Sequence, residues 1–122
     1  MPIKSSTPTA NAYFRFLQLA KSIHQLPETP QIDANEKALL EEIALRWFEN
    51  RTMTVREAIS LEVLGSPATL HKRITRLRQK DLLTAFNQTE DKRAKYLIPT
   101  EKTIALFGIF GNKMNVVVTS AG

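Results

Sequence analysis

Between Ser66 and Lys80 the sequence reads SPATLHKRITRLRQK, and its large apolar residues are few and regularly placed. Leu70, Ile74 and Leu77 stand at i, i+4 and i+7, the spacing of one narrow helical stripe, whereas a half-buried strand needs strict alternation. Ser66 and Pro67 supply an N-cap and a first-turn proline. The segment is therefore expected to be a helix held to its fold by one face. The remainder carries five Lys or Arg and His71 with no Asp or Glu, so the usual mixing of opposite charges three or four apart is missing. At 3.6 residues per turn, the face opposite the stripe holds Ala68, Lys72, Thr75 and Gln79. Thr69 and Arg76 flank it on one side, His71 and Arg78 on the other. Arg73 lies beside the stripe, suited to helix packing or to a carboxylate of another helix.

The flanking sequence says what that helix packs with. Upstream, "DANEKALLEEIALRWFEN" opens on Asp33 and Glu36, spaced as a capping box, and continues with Leu39, Leu40, Ile43, Trp47 and Phe48 as a broad apolar stripe. Thr54 and Glu57 form a second capping box for a short helix reaching about Leu61. Downstream, "LLTAFN" and "RAKYLIP" read as strands joined by the polar loop "QTEDK", a hairpin. An N-terminal helix starting near Thr7-Pro8 carries Tyr13, Phe16, Leu17, Ala20 and Ile23 until Pro27 and Pro30 stop it. A last helix is expected over "EKTIALFGIFGNKM", from Glu101, with Gly108 and Gly111 inside it. The fold class expected is mainly α with a small β-hairpin, a winged helix-turn-helix in which the hairpin is the wing. One domain over 11–115 is expected, its flanking helices used for dimerisation, with flexible tails at 1–10 and 116–122.

Charge adds a partner to the fold. Residues 66–102 contain nine Lys or Arg against four Asp or Glu, whereas the remaining residues carry eight of each, so the net charge of +5 resides in one segment. A basic footprint on a balanced chain points to an anionic partner, most often nucleic acid. On the helix, small residues (Ala68, Thr69) precede longer donors, a profile suited to a major groove roughly 12 Å wide, with Lys and Arg farther along reaching phosphates. At the hairpin tip Lys92, Arg93 and Lys95 follow Glu90 and Asp91. An arginine there can enter the narrow minor groove, held in pose by a nearby carboxylate.

Residues 33–102, and above all the run from "MTVREAIS" to "KRAKYLIPT", resemble the DNA-binding core of the MarR family of bacterial transcription regulators. The motifs that carry the resemblance are Met53 to Glu57, then Ser66 with Thr69 and Leu70, then Asp91 with Arg93, then Pro99-Thr100. The resemblance implies that Ser66 to Arg76 read the major groove and that Arg93 enters the minor groove braced by Asp91. Asp81 stands where the family has a glycine, and an aspartate tolerates the left-handed conformation. The C-terminal part is shorter than the family's paired dimerisation helices. Family members often respond to small aromatic or phenolic ligands, so the resemblance also implies a small-molecule effector, of unknown identity.

The expected function is sequence-specific binding of double-stranded DNA in transcription regulation, with 66–80 in the major groove and 87–95 in the minor groove. The expected contacts are Thr54, Ser66, Ala68, Thr69, His71, Lys72, Thr75, Arg76, Lys92, Arg93 and Lys95, with Asp91 as the wing brace. A homodimer is expected from the apolar surface of the N-terminal stripe and of "IALFGIF". A winged-helix module in plasmid or phage replication, or in protein docking, is the alternative. With no cysteine, with His24 and His71 as the only histidines, and with no metal-ligand spacing or phosphate loop, neither an enzyme nor a cofactor is expected. No apolar run matches a membrane span and the N-terminus does not read as a secretory signal, so a cytoplasmic location is expected.

Overall fold

The computed structural model of the chain describes residues 7–24, 31–88 and 91–120. In order they form helix α1 (Pro8–His24), α2 (Ala34–Phe48), α3 (Val55–Ile59), a 3-10 turn (Glu62–Leu64), α4 (Pro67–Gln79), strands β1 (Leu83–Gln88) and β2 (Asp91–Pro99), and α5 (Glu101–Ser120). They fall into two units, one within 31–105 and the other drawn from 1–30 and 106–122.

The unit within 31–105 is the winged helix. Three helix starts follow the cap signals. Asp33 accepts from the Glu36 N–H at 2.7 Å, Thr54 and Glu57 close a reciprocal capping box, and Ser66 accepts from the Thr69 N–H with Pro67 at the first helical position. Each cap satisfies a donor that the first helical turn leaves open. Leu39, Leu40 and Ile43 of α2 meet Leu70, Ile74 and Leu77 of α4 in one buried cluster, closed by Met53, Ala58, Leu82, Leu83 and Leu97. Trp47 and Phe48 depart from the expected stripe, being 37% and 77% exposed. At 100° per residue Phe48 stands about 140° around the helix from Ile43, off the core face.

β1 and β2 pair antiparallel with Phe86 opposite Tyr96, and the register shifts between Asn87 and Gln88. A bridge from Thr54 to Tyr96 and the bond from the Leu97 N–H to the Met53 carbonyl (2.8 Å) dock the hairpin on the start of α3. The turn into β1 passes through Asp81 at φ 60°, the left-handed conformation expected there. Its far side is pinned to the start of α5, since Thr100 donates to the Asp81 carbonyl and buried Thr103 to that of Leu82.

In the other unit, α1 begins at Pro8, inside the stretch read as a tail. Thr7 caps it, its hydroxyl accepting from the Ala10 N–H at 3.1 Å. Among its described side chains Leu19 is buried, whereas Tyr13, Phe16 and Leu17 of the expected stripe are exposed, as is Phe14. α5 continues to Ser120, through most of the expected C-terminal tail, because no proline interrupts it after residue 101. Among the described residues no helix is long and apolar enough to cross a membrane.

Candidate nucleic-acid interface

α4 presents the face expected of it. With Leu70, Ile74 and Leu77 sealed, Ser66, Ala68, His71, Lys72, Thr75 and Arg76 are exposed and Thr69 is half-buried. The small residues are tied into the helix itself. Ser66 donates to the Thr69 hydroxyl at 2.9 Å, and Thr75 donates to the His71 carbonyl at 3.0 Å.

The five cations of the segment divide by environment. Arg73 donates to the Leu64 carbonyl at 2.7 Å, so its packing partner is a backbone oxygen rather than a carboxylate. The same guanidinium lies 3.2 Å from where a Cβ on Gly65 would stand, and Gly65 has φ 149°, so the turn is closed to larger residues. Lys80 donates to the Gln31 carbonyl at 2.8 Å and pairs at 2.9 Å with Glu36, whose side chain is only 5% exposed. Lys72, Arg76 and Arg78 remain, exposed and without an ion-pair partner among the described residues.

A concavity of about 650 Å³ joins that helix to the hairpin. Thr54, Val55, Arg56 and Ile59 line it from α3 and its cap, His71 and Arg78 from α4, Ala94 and Lys95 from β2. Of the expected contact set it unites Thr54, His71 and Lys95. Ser66, Ala68, Thr69, Lys72, Thr75 and Arg76 belong to α4 or its cap but do not line it. The hydroxyl of Thr54 is engaged in its cap, accepting from the Glu57 N–H at 3.1 Å. The side chains of Lys92, Arg93 and of the brace Asp91 lie outside those described.

Arg56 is a member that the sequence reading missed. A cation in the first turn works against the helix dipole, but in a five-residue helix the first and last turns overlap, so the signal is faint. Arg78 was legible as a flank of the basic face, not as a neighbour of the wing. Lys95 is exposed and, like Arg56 and Arg78, makes no ion pair among the described residues. Arg56, Arg78 and Lys95 with His71 around one depression, and no acid among the described lining residues, can hold an anion larger than a single group. Among the described residues no cluster of three or more His, Asp or Glu is arranged to hold a metal ion.

No family sequence model matches the chain, nor does its sequence match that of a curated protein. Solved structures do. MepR of S. aureus bound to ethidium bromide aligns over 94% of this chain and 80% of its own, at TM-score 0.66 and 16% identity. A MepR–DNA complex aligns over 92% and 82%, at TM-score 0.56 and 14% identity. Staphylococcus aureus MarR in complex with salicylate and kanamycin aligns over 91% and 69%, at TM-score 0.56 and 24% identity. At such identities the likeness is one of fold, and the chain has the winged-helix fold of the MarR-family regulators.

Proposed function

We propose that the chain is a transcription regulator that binds double-stranded DNA in sequence-specific fashion, with α4 in the major groove and the hairpin toward the minor groove. The observation that carries this reading is the basic concavity in which His71 and Arg78 of the helix meet Lys95 of the hairpin. Cations left without carboxylate partners are free to replace the counterions of a phosphate backbone. Ala68 and Thr69 at the start of α4 leave room for its N-terminal turn to approach base edges, and Lys72 and Arg76 follow within reach of phosphates. That MepR has been crystallised on DNA with the same fold supports the reading.

The acting form is a homodimer. The exposed Tyr13, Phe14, Phe16 and Leu17 of α1 supply apolar surface for it. Twofold symmetry then sets two α4 helices on half-sites about 34 Å apart, so the preferred operator is near-palindromic. Relatives in fold bind ethidium and salicylate, and a small-molecule effector belongs to the proposal without a chemical identity.

Selection of duplexes from a random library, followed by titration at several salt concentrations, tests this. A preferred palindrome is expected, bound far more tightly than single-stranded DNA or RNA. Lys72→Ala and Arg76→Ala are each expected to weaken binding and to lower the salt slope by about one unit per lost phosphate contact. Arg56→Ala and Arg78→Ala are expected to do the same. Equal affinity for all sequences and for all variants would refute the proposal, and little affinity for any duplex would favour a docking module on a winged-helix frame.

A further inference from the structure

A second concavity, of about 730 Å³, opens on the winged-helix unit between α2 and the 3-10 turn. Its chemistry is the reverse of the first. Glu41 and Glu42 of α2 and Glu62 of the turn line it together with the apolar Leu45, Leu61, Val63 and Leu64. Val63 is 99% exposed and Leu45 51%. One exposed aliphatic residue needs no explanation, but two facing one depression beside half-buried Leu61 and Leu64 form a seat. The single cation among the described lining residues, Arg46, is held along its own helix by Glu42 at 2.8 Å.

We propose that this concavity docks a cationic amphipathic helix of a partner protein. Charge selects the occupant. On a chain of net charge +5, a lining with three carboxylates against one cation, Arg46, itself paired with Glu42, disfavours nucleic acid and acidic segments and favours a Lys- or Arg-bearing one. An occupant with apolar residues at i, i+3, i+4 and i+7 sets them between Leu45 and Val63 and turns its cations to the rim. The seat is preformed. The Leu64 N–H bonds to the Leu61 carbonyl at 2.9 Å, and Arg73 grips the Leu64 carbonyl from α4, so little ordering is needed on binding. A twofold contact of the seat with itself would bring like carboxylates together, which disfavours a second copy docked face to face.

The probe is a synthetic helical peptide with leucines at those spacings and lysines elsewhere, titrated into the full ¹⁵N-labelled chain beside a twin carrying glutamate for lysine. Saturable binding of the lysine peptide alone is expected, with amide shifts confined to residues 38–46 and 61–64. Val63→Asp, at a site with no packing to lose, and the double change Glu41→Lys with Glu62→Lys are each expected to weaken it about tenfold or more. Both variants are expected to keep wild-type DNA binding, which separates this proposal from the preceding one. Absence of saturable binding, shifts elsewhere, or equal affinity for both peptides overturns it. So does a fall in the chain's own assembly state on Val63→Asp by sedimentation, which would make the seat a contact between copies.

Discussion

The basic and the acidic concavity on the winged-helix unit are similar in size and opposite in construction. The basic one draws its charge from three separate elements, and its cations find no acid among the described residues. In the acidic one, Glu41 and Glu42 already face Lys37 and Arg46 one turn away on the same helix. Exposed pairs of that kind contribute little to stability, so they leave those acids open to exchange partners. The difference lies in what surrounds each charge. On the basic surface the long cations stand without ion-pair partners among the described residues, whereas on the acidic one Glu41 and Glu42 are paired along their own helix beside apolar lining residues. Side chains equal in formal charge therefore differ in availability, and α4 contains both kinds.

The largest expected effect breaks the assumption that all five cations of residues 66–80 serve one surface. Lys80→Met leaves the carboxylate of Glu36 buried without its partner. Removal of one member of a fully buried pair costs roughly 3–5 kcal/mol, and the partial exposure of Lys80 reduces the expected loss to about 2 kcal/mol. Urea unfolding measures this, and the salt slope of DNA binding is expected to stay unchanged. Wild-type stability with a shallower slope would place Lys80 on the DNA side instead.

Next in size is a change that links the two regions. Arg73 belongs to the basic helix yet closes the turn that forms the wall of the acidic seat. Arg73→Met removes a charge-assisted bond to a carbonyl, worth about 1.5 kcal/mol. The Leu64 and Gly65 amides are expected to exchange with solvent faster in the variant, while those of the β-hairpin hold. Unchanged exchange at both amides would mean that the turn stands without its anchor.

What the sequence shows of these surfaces follows from the range of the interactions. Caps and stripes are local, so Asp33, Thr54, Ser66 and the sealed face of α4 are legible within four residues of themselves. The left-handed Asp81 is legible for the same reason. The Lys80–Glu36 pair spans 44 positions, and its two members look alike in sequence to any exposed lysine and glutamate. Arg56 becomes part of the basic concavity only because the hairpin folds back on Thr54, a tertiary event that no local pattern announces. Phe48 misleads for the opposite reason: its apolar character fits a core stripe, but five residues on from Ile43 it stands about 140° around α2, off the core face. The seat at Leu45 and Val63 is silent as well, since neither residue is unusual until they share a depression.

Acid pH offers the finest separation of the two regions. α2, which borders the acidic seat, is capped by Asp33, and α4 is capped by Ser66, which does not titrate in water. The hydrogen bond from the Glu36 backbone N–H holds the Asp33 carboxyl below its ordinary value of 3.8. A carboxylate whose pKa is lower folded than unfolded adds stability above the unfolded value, and that increment disappears as the pH falls through the folded one. The first turn of α2 is therefore expected to loosen as acid is added below about pH 4, while the first turn of α4 keeps its protection. Residue-resolved amide exchange over that window distinguishes the two helices. Asp33→Asn, which keeps an acceptor for the Glu36 N–H but cannot be protonated there, is expected to remove the pH dependence arising at this cap. If α2 in the Asp33→Asn variant still loosens over the same interval and to the same degree, the acid sensitivity of that wall has another source, and the cap is only a spectator to it.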